Sequence, residues 1–424
     1  MEAHRTGPGF RLRGSMVLVL LFSVTAINYL DRQTLSVVAP LLETQLSLST
    51  LAYSHVVFLF LLGYTLGQTL DGKFIDRVGT RVGMLCCVSL WSAVSMLHSL
   101  VTDVAGLGSL RFLLGIAEAG NWPGGVKAAA ENFTPKRRAL AIGVFNSGST
   151  AGAMIAPPLV AAVAGAWGWR PMFAVIGVSG FVWVLFWKKF YRKEPGRVQT
   201  PRAAALQAPR TTRACLGDRA VRGLMISRFF SDPIWWFYAF WLPEYLAQSR
   251  GFSLARIGRT AWIPFVFAGL GGWLGGMASD ALVRRGVAPA LARKRVMAVC
   301  ALLMLCGVPA FVVRSSTAAL AFISVVLFAY TGWASNILSL VADLFRSSEA
   351  AHITGLSGTT AAIGGMLFTL ATGWLVQNVS YGSVFLASSV MILSSLAVIL
   401  WMVPSRPKTP GEEWQGLLSG AGRE

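Results

Sequence analysis

Two charged residues, Arg111 and Glu118, stand in an otherwise apolar run, Arg-Phe-Leu-Leu-Gly-Ile-Ala-Glu-Ala-Gly-Asn-Trp-Pro-Gly-Gly from 111 to 125. Their spacing is two helical turns to within about 20°, so both side chains project from one face, roughly 10 Å apart along the axis. A charge at bilayer depth costs at least about 2.5 kcal/mol, so that face points into a bundle interior or a water-filled cavity. Asp31 and Arg32 pose the same problem in the first apolar run. Asp31 lies about eight residues, roughly 12 Å, from the outer end of its helix, and Arg111 about 9 Å from the outer end of its own, so the two meet in depth. Asp31 and Arg32 are neighbours and point about 100° apart on a helix. We expect Asp31 to pair with Arg111, leaving Arg32 to face the cavity and hold a carboxylate through a forked, charge-assisted pair. The alternatives are a static ion pair that pins two helices and a structural role for Arg32. For Glu118, desolvation disfavours the charged form unless a cation compensates. A carboxyl poised there loads a proton on one side and releases it on the other; the alternative is a permanently protonated hydrogen-bond donor between helices.

The elements that carry these residues are membrane-spanning helices. Of 424 residues, 54% are hydrophobic and only 13% charged, with a mean hydropathy of +0.60, whereas a soluble domain carries about 25% charged residues. The formal net charge of +19 does not point to nucleic acid, because Lys and Arg fall between apolar runs rather than on one folded soluble face. Cys86, Cys87, Cys215, Cys300 and Cys306 form no metal-like or redox spacing. Apolar windows of about 20 residues predict roughly twelve spans, near 16–39, 51–71, 82–101, 104–130, 139–162, 171–190, 223–246, 259–279, 296–313, 319–341, 351–377 and 382–402. The start, with Arg5, Arg11 and Arg13 before the apolar run, superficially resembles a signal peptide, but the run continues past Ala26 without a cleavage site and is kept as the first span.

Basic residues concentrate in alternate connections: Lys73, Arg77 and Arg81; Lys136, Arg137 and Arg138; Arg284, Arg285, Arg293, Lys294 and Arg295; and the segment from Lys188 to Arg222. The positive-inside rule then places both termini in the cytoplasm, in a multi-pass protein of the plasma (inner) membrane. The polar segment 191–222 divides the spans six and six, predicting an N-terminal half 1–190, a cytoplasmic linker 191–222, a C-terminal half 223–403 and a cytoplasmic tail 404–424. The halves repeat. Gly72-x-x-x-Asp76-Arg77 with Arg81 follows the second span, and Gly276-x-x-x-Asp280 with Arg284 and Arg285 follows the eighth. Glycine allows close helix approach, and Asp pairs with basic residues or a helix end. Asp76, Arg77, Arg81, Asp280 and Arg285 are therefore candidate gating residues, a solvated loop being the plainer alternative.

The paired Gly-x-x-x-Asp loops resemble the signature loop of the major facilitator superfamily, and the likeness covers nearly the whole chain. Asn28-Tyr29-Leu30-Asp31-Arg32, Arg111-x-x-x-Gly115-x-x-Glu118-Ala119, Phe145-Asn146-Ser147-Gly148-Ser149 and Ala156-Pro157-Pro158 resemble its anion:cation symporter branch. With Pro123-Gly-Gly-Val-Lys127 and Arg228-Phe-Phe-Ser-Asp232-Pro233-Ile-Trp235-Trp236, the nearest likeness is to proton-coupled hexuronate transporters. One departure is Ala281 after Asp280, where the first loop has an Asp-Arg pair. The resemblance implies an all-α fold of two pseudo-symmetric six-helix halves. It also implies symport of a small anionic sugar acid with protons, the proton carried at Asp31 and Glu118, and substrate sensed at Arg32 and Arg111.

Further candidates would complete a sugar-acid site. Tyr64 and Gln68, one turn apart, share a face, and with Tyr29 they offer the neutral hydrogen bonding that sugar hydroxyls require. Asn146 and Ser149 give one polar face on the fifth span. Trp235 and Trp236 offer indole faces to a pyranose ring or simply pack. Asn336 contacts ligand or bridges helices. Asp232 is expected to pair with Arg228 one turn away, and Gly148, Gly152 and Ala156 to form a packing ridge. No cofactor or metal is expected, the coupling ion being a proton. The chain is expected to act as a monomer in the lipid bilayer without nucleic acid. Aldonates or aromatic acids are the alternative substrates, a passive anion channel is a weaker alternative, and no hydrolase or nucleotide motif supports an enzyme.

Overall fold

The apolar runs form helices throughout. A computed structural model describes residues 8–133, 135–191, 212–345 and 347–405. Most of the expected linker and tail, 192–211 and 406–424, lie outside the described residues. In chain order the helices are α1 Pro8–Gln45, α2 Thr50–Val78, α3 Thr80–Leu97, α4 Val104–Glu118, α5 Asn121–Asn132, α6 Pro135–Trp167, α7 Trp169–Phe190, α8 Thr212–Gly217 and α9 Arg219–Gln248. They continue as α10 Leu254–Thr260, α11 Ile263–Arg284, α12 Pro289–Met304, α13 Gly307–Val312, α14 Ser316–Leu344, α15 Ser347–Asn378 and α16 Tyr381–Met402. Among the described residues, ten stretches are long and apolar enough to cross a membrane. Large apolar side chains such as Trp273, Trp401 and Leu185 remain exposed on these helices, as lipid-facing positions require.

Three expected spans are broken, each for a visible reason. The fourth divides after Glu118, and Pro123 falls in the first turn of α5. Proline has no N–H to bond the carbonyl four residues back, here Ala119, but is tolerated in a first turn. Pro264 near the start of α11 and Pro309 near the start of α13 break the eighth and ninth spans in the same way.

The chain forms two compact units, 1–199 with 235–266 and 365–384, and 200–234 with 267–364 and 385–424. In the first unit, α2 and α4 approach through glycine: a Cβ on Gly115 would come within 2.2 Å of the Phe60 carbonyl oxygen, and one on Gly63 equally close to that of Phe112. α1 and α6 meet through Gly148 and Gly152 against the Phe22 and Ala26 carbonyls, which makes the small-residue ridge a packing surface. In the second unit, Gly271 and Gly275 of α11 lie against Phe328 and Gly332 of α14, the counterpart of the α2 and α4 contact.

Candidate functional site

The backbone approach of α2 to α4 sets the geometry of the site in the first unit. It brings Phe60 and Tyr64 of α2 beside Glu118 at the end of α4, and α1 supplies Tyr29, Asp31 and Arg32 (ranges above). Arg32 Nε donates to Glu118 Oε2 at 2.7 Å, with the two side chains 3% and 0% exposed. The guanidinium lies over three rings, 4.3 Å from the centre of Tyr64, 5.1 Å from Tyr29 and 5.4 Å from Phe60. Phe60 and Tyr64 stack on one another at 6.1 Å. Arg32 is thus enclosed by aromatic faces and one carboxylate, where cation–π attraction is strongest because water is excluded. The fork is half used: Arg32 Nη2 and Glu118 Oε1 have no protein partner.

The structure gives Arg32 a protein partner where an open cavity was expected. Asp31 and Arg111 are both buried and close enough to interact electrostatically. Yet both Asp31 oxygens, and Nε and Nη2 of Arg111, lack a hydrogen-bond partner. Arg32, expected to face open space, is instead buried against Glu118. Asp31 and Arg32 point about 100° apart on α1, so Arg32 meets the α4 carboxylate at Glu118 while Asp31 interacts with the charge of Arg111. Arg111 has its guanidinium carbon 5.4 Å from the ring centre of Phe173, and Phe173 in turn meets the imidazole of His98. That ring stacks on Phe173 at 5.1 Å and bonds the Val94 carbonyl through Nδ1 at 2.8 Å.

The remaining candidates divide. Gln68 and Asn146 are exposed, and Ser149 Oγ bonds the Asn146 carbonyl at 2.6 Å on its own helix. Trp235 meets Phe265 edge-on at 6.2 Å, while Trp236 stacks on Phe240 at 5.7 Å and packs against Gly365. Asn336, in the second unit, is fully buried and donates Nδ2 to the carbonyls of Gly275 and Gly332 at 3.0 and 2.8 Å. It is a bridge between α11 and α14 rather than a ligand-facing amide. Also in the second unit, Arg228 pairs with Asp232 at 2.7 Å and reaches Ser357 Oγ at 3.2 Å.

The loop motifs are built differently in the two units. Asp76 pairs with Lys127 Nζ at 2.7 Å, and the same ammonium bonds the Ile75 carbonyl. Arg81 Nη2 donates to the Lys188 carbonyl at 2.6 Å. Asp76, Arg81 and Lys127, with Arg77, Gly79, Thr80 and Glu131, line a cavity of about 320 Å³. Asp280 pairs with Arg293 at 2.6 Å, and Arg293 also meets Asp343 at 3.1 Å. Arg285 is exposed and makes no ion pair among the described residues. α11 ends at Arg284, so Arg285 leaves the helix in the turn, whereas Arg293 opens onto Asp280 from α12. Sequence reasoning missed Phe60, His98, Phe173 and Arg293. Phe60 had a signal, being one turn before Tyr64; the others depend on which helices pack together.

Buried charges on glycine-packed apolar helices define a membrane transporter. The chain belongs to the Major Facilitator Superfamily, matching its family model over residues 21–369 and again over 224–419. It is a transporter and not an enzyme. It is similar to the hexuronate transporter of Escherichia coli strain K12, 30% identical over 411 residues that cover 93% of this chain and 95% of that protein. It also resembles the galacturonate transporter of Dickeya chrysanthemi, 35% identical over 266 residues, 59% of this chain and 77% of that one. The fold matches a bacterial homolog of the human lysosomal transporter Spinster, with a TM-score of 0.78 at 19% identity over 95% of this chain and all of the other.

Proposed function

We propose that the chain is a proton-coupled importer of a hexuronate such as glucuronate or galacturonate, working by alternating access of the halves 1–190 and 223–403. Both termini lie in the cytoplasm and the protein sits as a monomer in the inner membrane. The observation that carries this reading is the buried Arg32–Glu118 pair under the rings of Tyr29, Phe60 and Tyr64. A guanidinium holds either the Glu118 carboxylate or a substrate carboxylate in that place, because a second anion beside the first is disfavoured electrostatically. Protonation of Glu118 from outside removes its charge and releases Arg32 to the sugar acid. Tyr29 and Tyr64 then supply hydroxyls to the sugar. After release inside, Glu118 loses its proton and takes Arg32 back, which closes the cycle. Asp31 and Arg111 act beside this exchange as the second acid and its cation. Gln68, Asn146, Ser149, Trp235 and Trp236 belong to the wider substrate path. Asp76 with Lys127, Arg77 and Arg81, and Asp280 with Arg293, brace the cytoplasmic ends during rocking.

Counterflow tests the substrate class. In proteoliposomes preloaded with unlabelled glucuronate, labelled glucuronate should enter and be displaced by galacturonate in excess. Displacement by an aldonate or an aromatic acid, with none by galacturonate, would move the substrate to the alternative class.

A further inference from the structure

The ends of α1 and α9 carry a second acid pair that the exchange at Arg32 does not use. Glu43 lies in the last turn of α1 and Glu244 in the last turn of α9, within the first unit. One side-chain amide joins them: Gln248 Nε2 donates to Glu43 Oε1 at 2.6 Å and to Glu244 Oε1 at 3.1 Å. Those two bonds hold the carboxyls less than about 6 Å apart, close enough for strong mutual repulsion. Glu244 is fully buried, and its Oε2 has no hydrogen-bond partner. The phenols of Tyr53 on α2 and Tyr381 on α16 interact electrostatically with the pair, Arg111 interacts with Tyr53, and Tyr245 on α9 meets the Tyr381 ring at 5.3 Å. Arg250, just past α9, donates Nε to the Tyr245 hydroxyl at 2.8 Å. Neither carboxyl has an ion pair among the described residues.

We propose that Glu244, with Glu43 beside it, forms an outward proton-binding site that holds one proton while the ends of α1 and α9 are together and returns it to the same side when they part. A fully buried carboxylate beside a second carboxyl, with only a neutral amide donor between them, is disfavoured, whereas a proton on Glu244 supplies an O–H that Glu43 accepts. The site is tied to a seam. Around it Tyr53 Oη donates to the Phe240 carbonyl at 2.6 Å, the Leu51 N–H donates to Gln377 Oε1 at 3.0 Å, and Gly373 lies against Ser54. Parting these ends would open Glu244 to water, which solvates its charged form. Low external pH then favours the joined seam. Because the proton comes and goes on one face, the site sets the external-pH dependence of seam closure without adding to the protons carried per substrate. The inference rests on the transport reading and orientation given above.

The test uses Ser54→Cys, a buried seam position, in reconstituted full-length protein labelled from outside by a membrane-impermeant maleimide, with the parent chain as blank. Labelling is compared at about pH 5.5 and about pH 8 with Glu244→Gln or Glu43→Gln added, so that the reagent's own pH dependence cancels in the ratio. Labelling should rise with pH several-fold more in the Glu244 background than in either Gln variant. Glu244→Gln should remove this dependence and Glu43→Gln should weaken it, and the proton-to-substrate ratio of uptake should stay unchanged in both. Equal pH dependence in all three backgrounds would overturn the proposal, as would a fall in that ratio. Glu43→Gln, at a half-buried position, carries the test if Glu244→Gln fails to fold. Labelling needs no substrate, so its failure is separate from failure of the sugar-acid reading, whose sign is absent uptake.

Discussion

Replacing Glu118 with Gln isolates the competition for Arg32. The neutral amide keeps the shape and can still accept from Arg32 Nε, but it no longer opposes a substrate carboxylate with a charge. A hydrogen bond to a charged partner contributes about 1.5–3 kcal/mol, and about 1.4 kcal/mol is a factor of ten. In the wild type at high pH, sugar-acid binding must displace a bond of that size, 2.7 Å long and out of water. Glu118→Gln should therefore bind glucuronate about tenfold to a hundredfold more tightly than the wild type at alkaline pH, and equally at acid pH. The sign follows from linkage: binding competes with the ionised form of Glu118, so wild-type affinity is full at low pH and falls as pH rises, by at most about tenfold per unit for one proton. Titration calorimetry of the purified protein across pH reads this directly, and in proteoliposomes the variant should retain exchange while losing gradient-driven accumulation. A wild-type pH slope in the variant, or unchanged accumulation, would remove Glu118 from the proton path.

Arg32→Lys keeps a cation under the rings but loses the fork, so sugar-acid affinity should drop by about tenfold or more, measured by the same calorimetry. Gly115→Ala sets a methyl against the Phe60 carbonyl and the Tyr64 backbone nitrogen; about 1–3 kcal/mol of overpacking should lower the thermal midpoint and weaken uptake, because both rings over Arg32 ride on that backbone. Arg293→Ala removes the bonds to Asp280 and Asp343 and should lower both thermal midpoint and transport rate, while Arg285→Ala leaves both unchanged. The opposite ranking in a melting assay would contradict Arg293 as the partner of Asp280.

Much of the architecture was legible because membrane burial imposes simple rules. Apolar length located the helices, and depth along α1 and α4 set Asp31 level with Arg111, and the two interact in the structure. The bond from Arg32 to Glu118 was not legible. Depth fixes a coordinate along the helix but not the rotation between helices, and the Gly63 and Gly115 contacts that set this rotation turn Glu118 toward Arg32. The breaks at Pro123, Pro264 and Pro309 had a sequence signal, since each proline removes a helical donor, yet hydropathy windows smooth across them. Asn336 looked like an isolated cavity amide because its partners are backbone carbonyls, which no side-chain pattern announces. The Glu43 and Glu244 pair joins residues 201 positions apart in sequence and needed the fold to appear.

Uptake of labelled glucuronate and galacturonate into proteoliposomes, with and without an inward proton gradient, tests the account most directly. It predicts accumulation above the external concentration only when the gradient is present, collapsing when a protonophore is added. Equal uptake with and without the gradient, or accumulation that survives the protonophore, would contradict it.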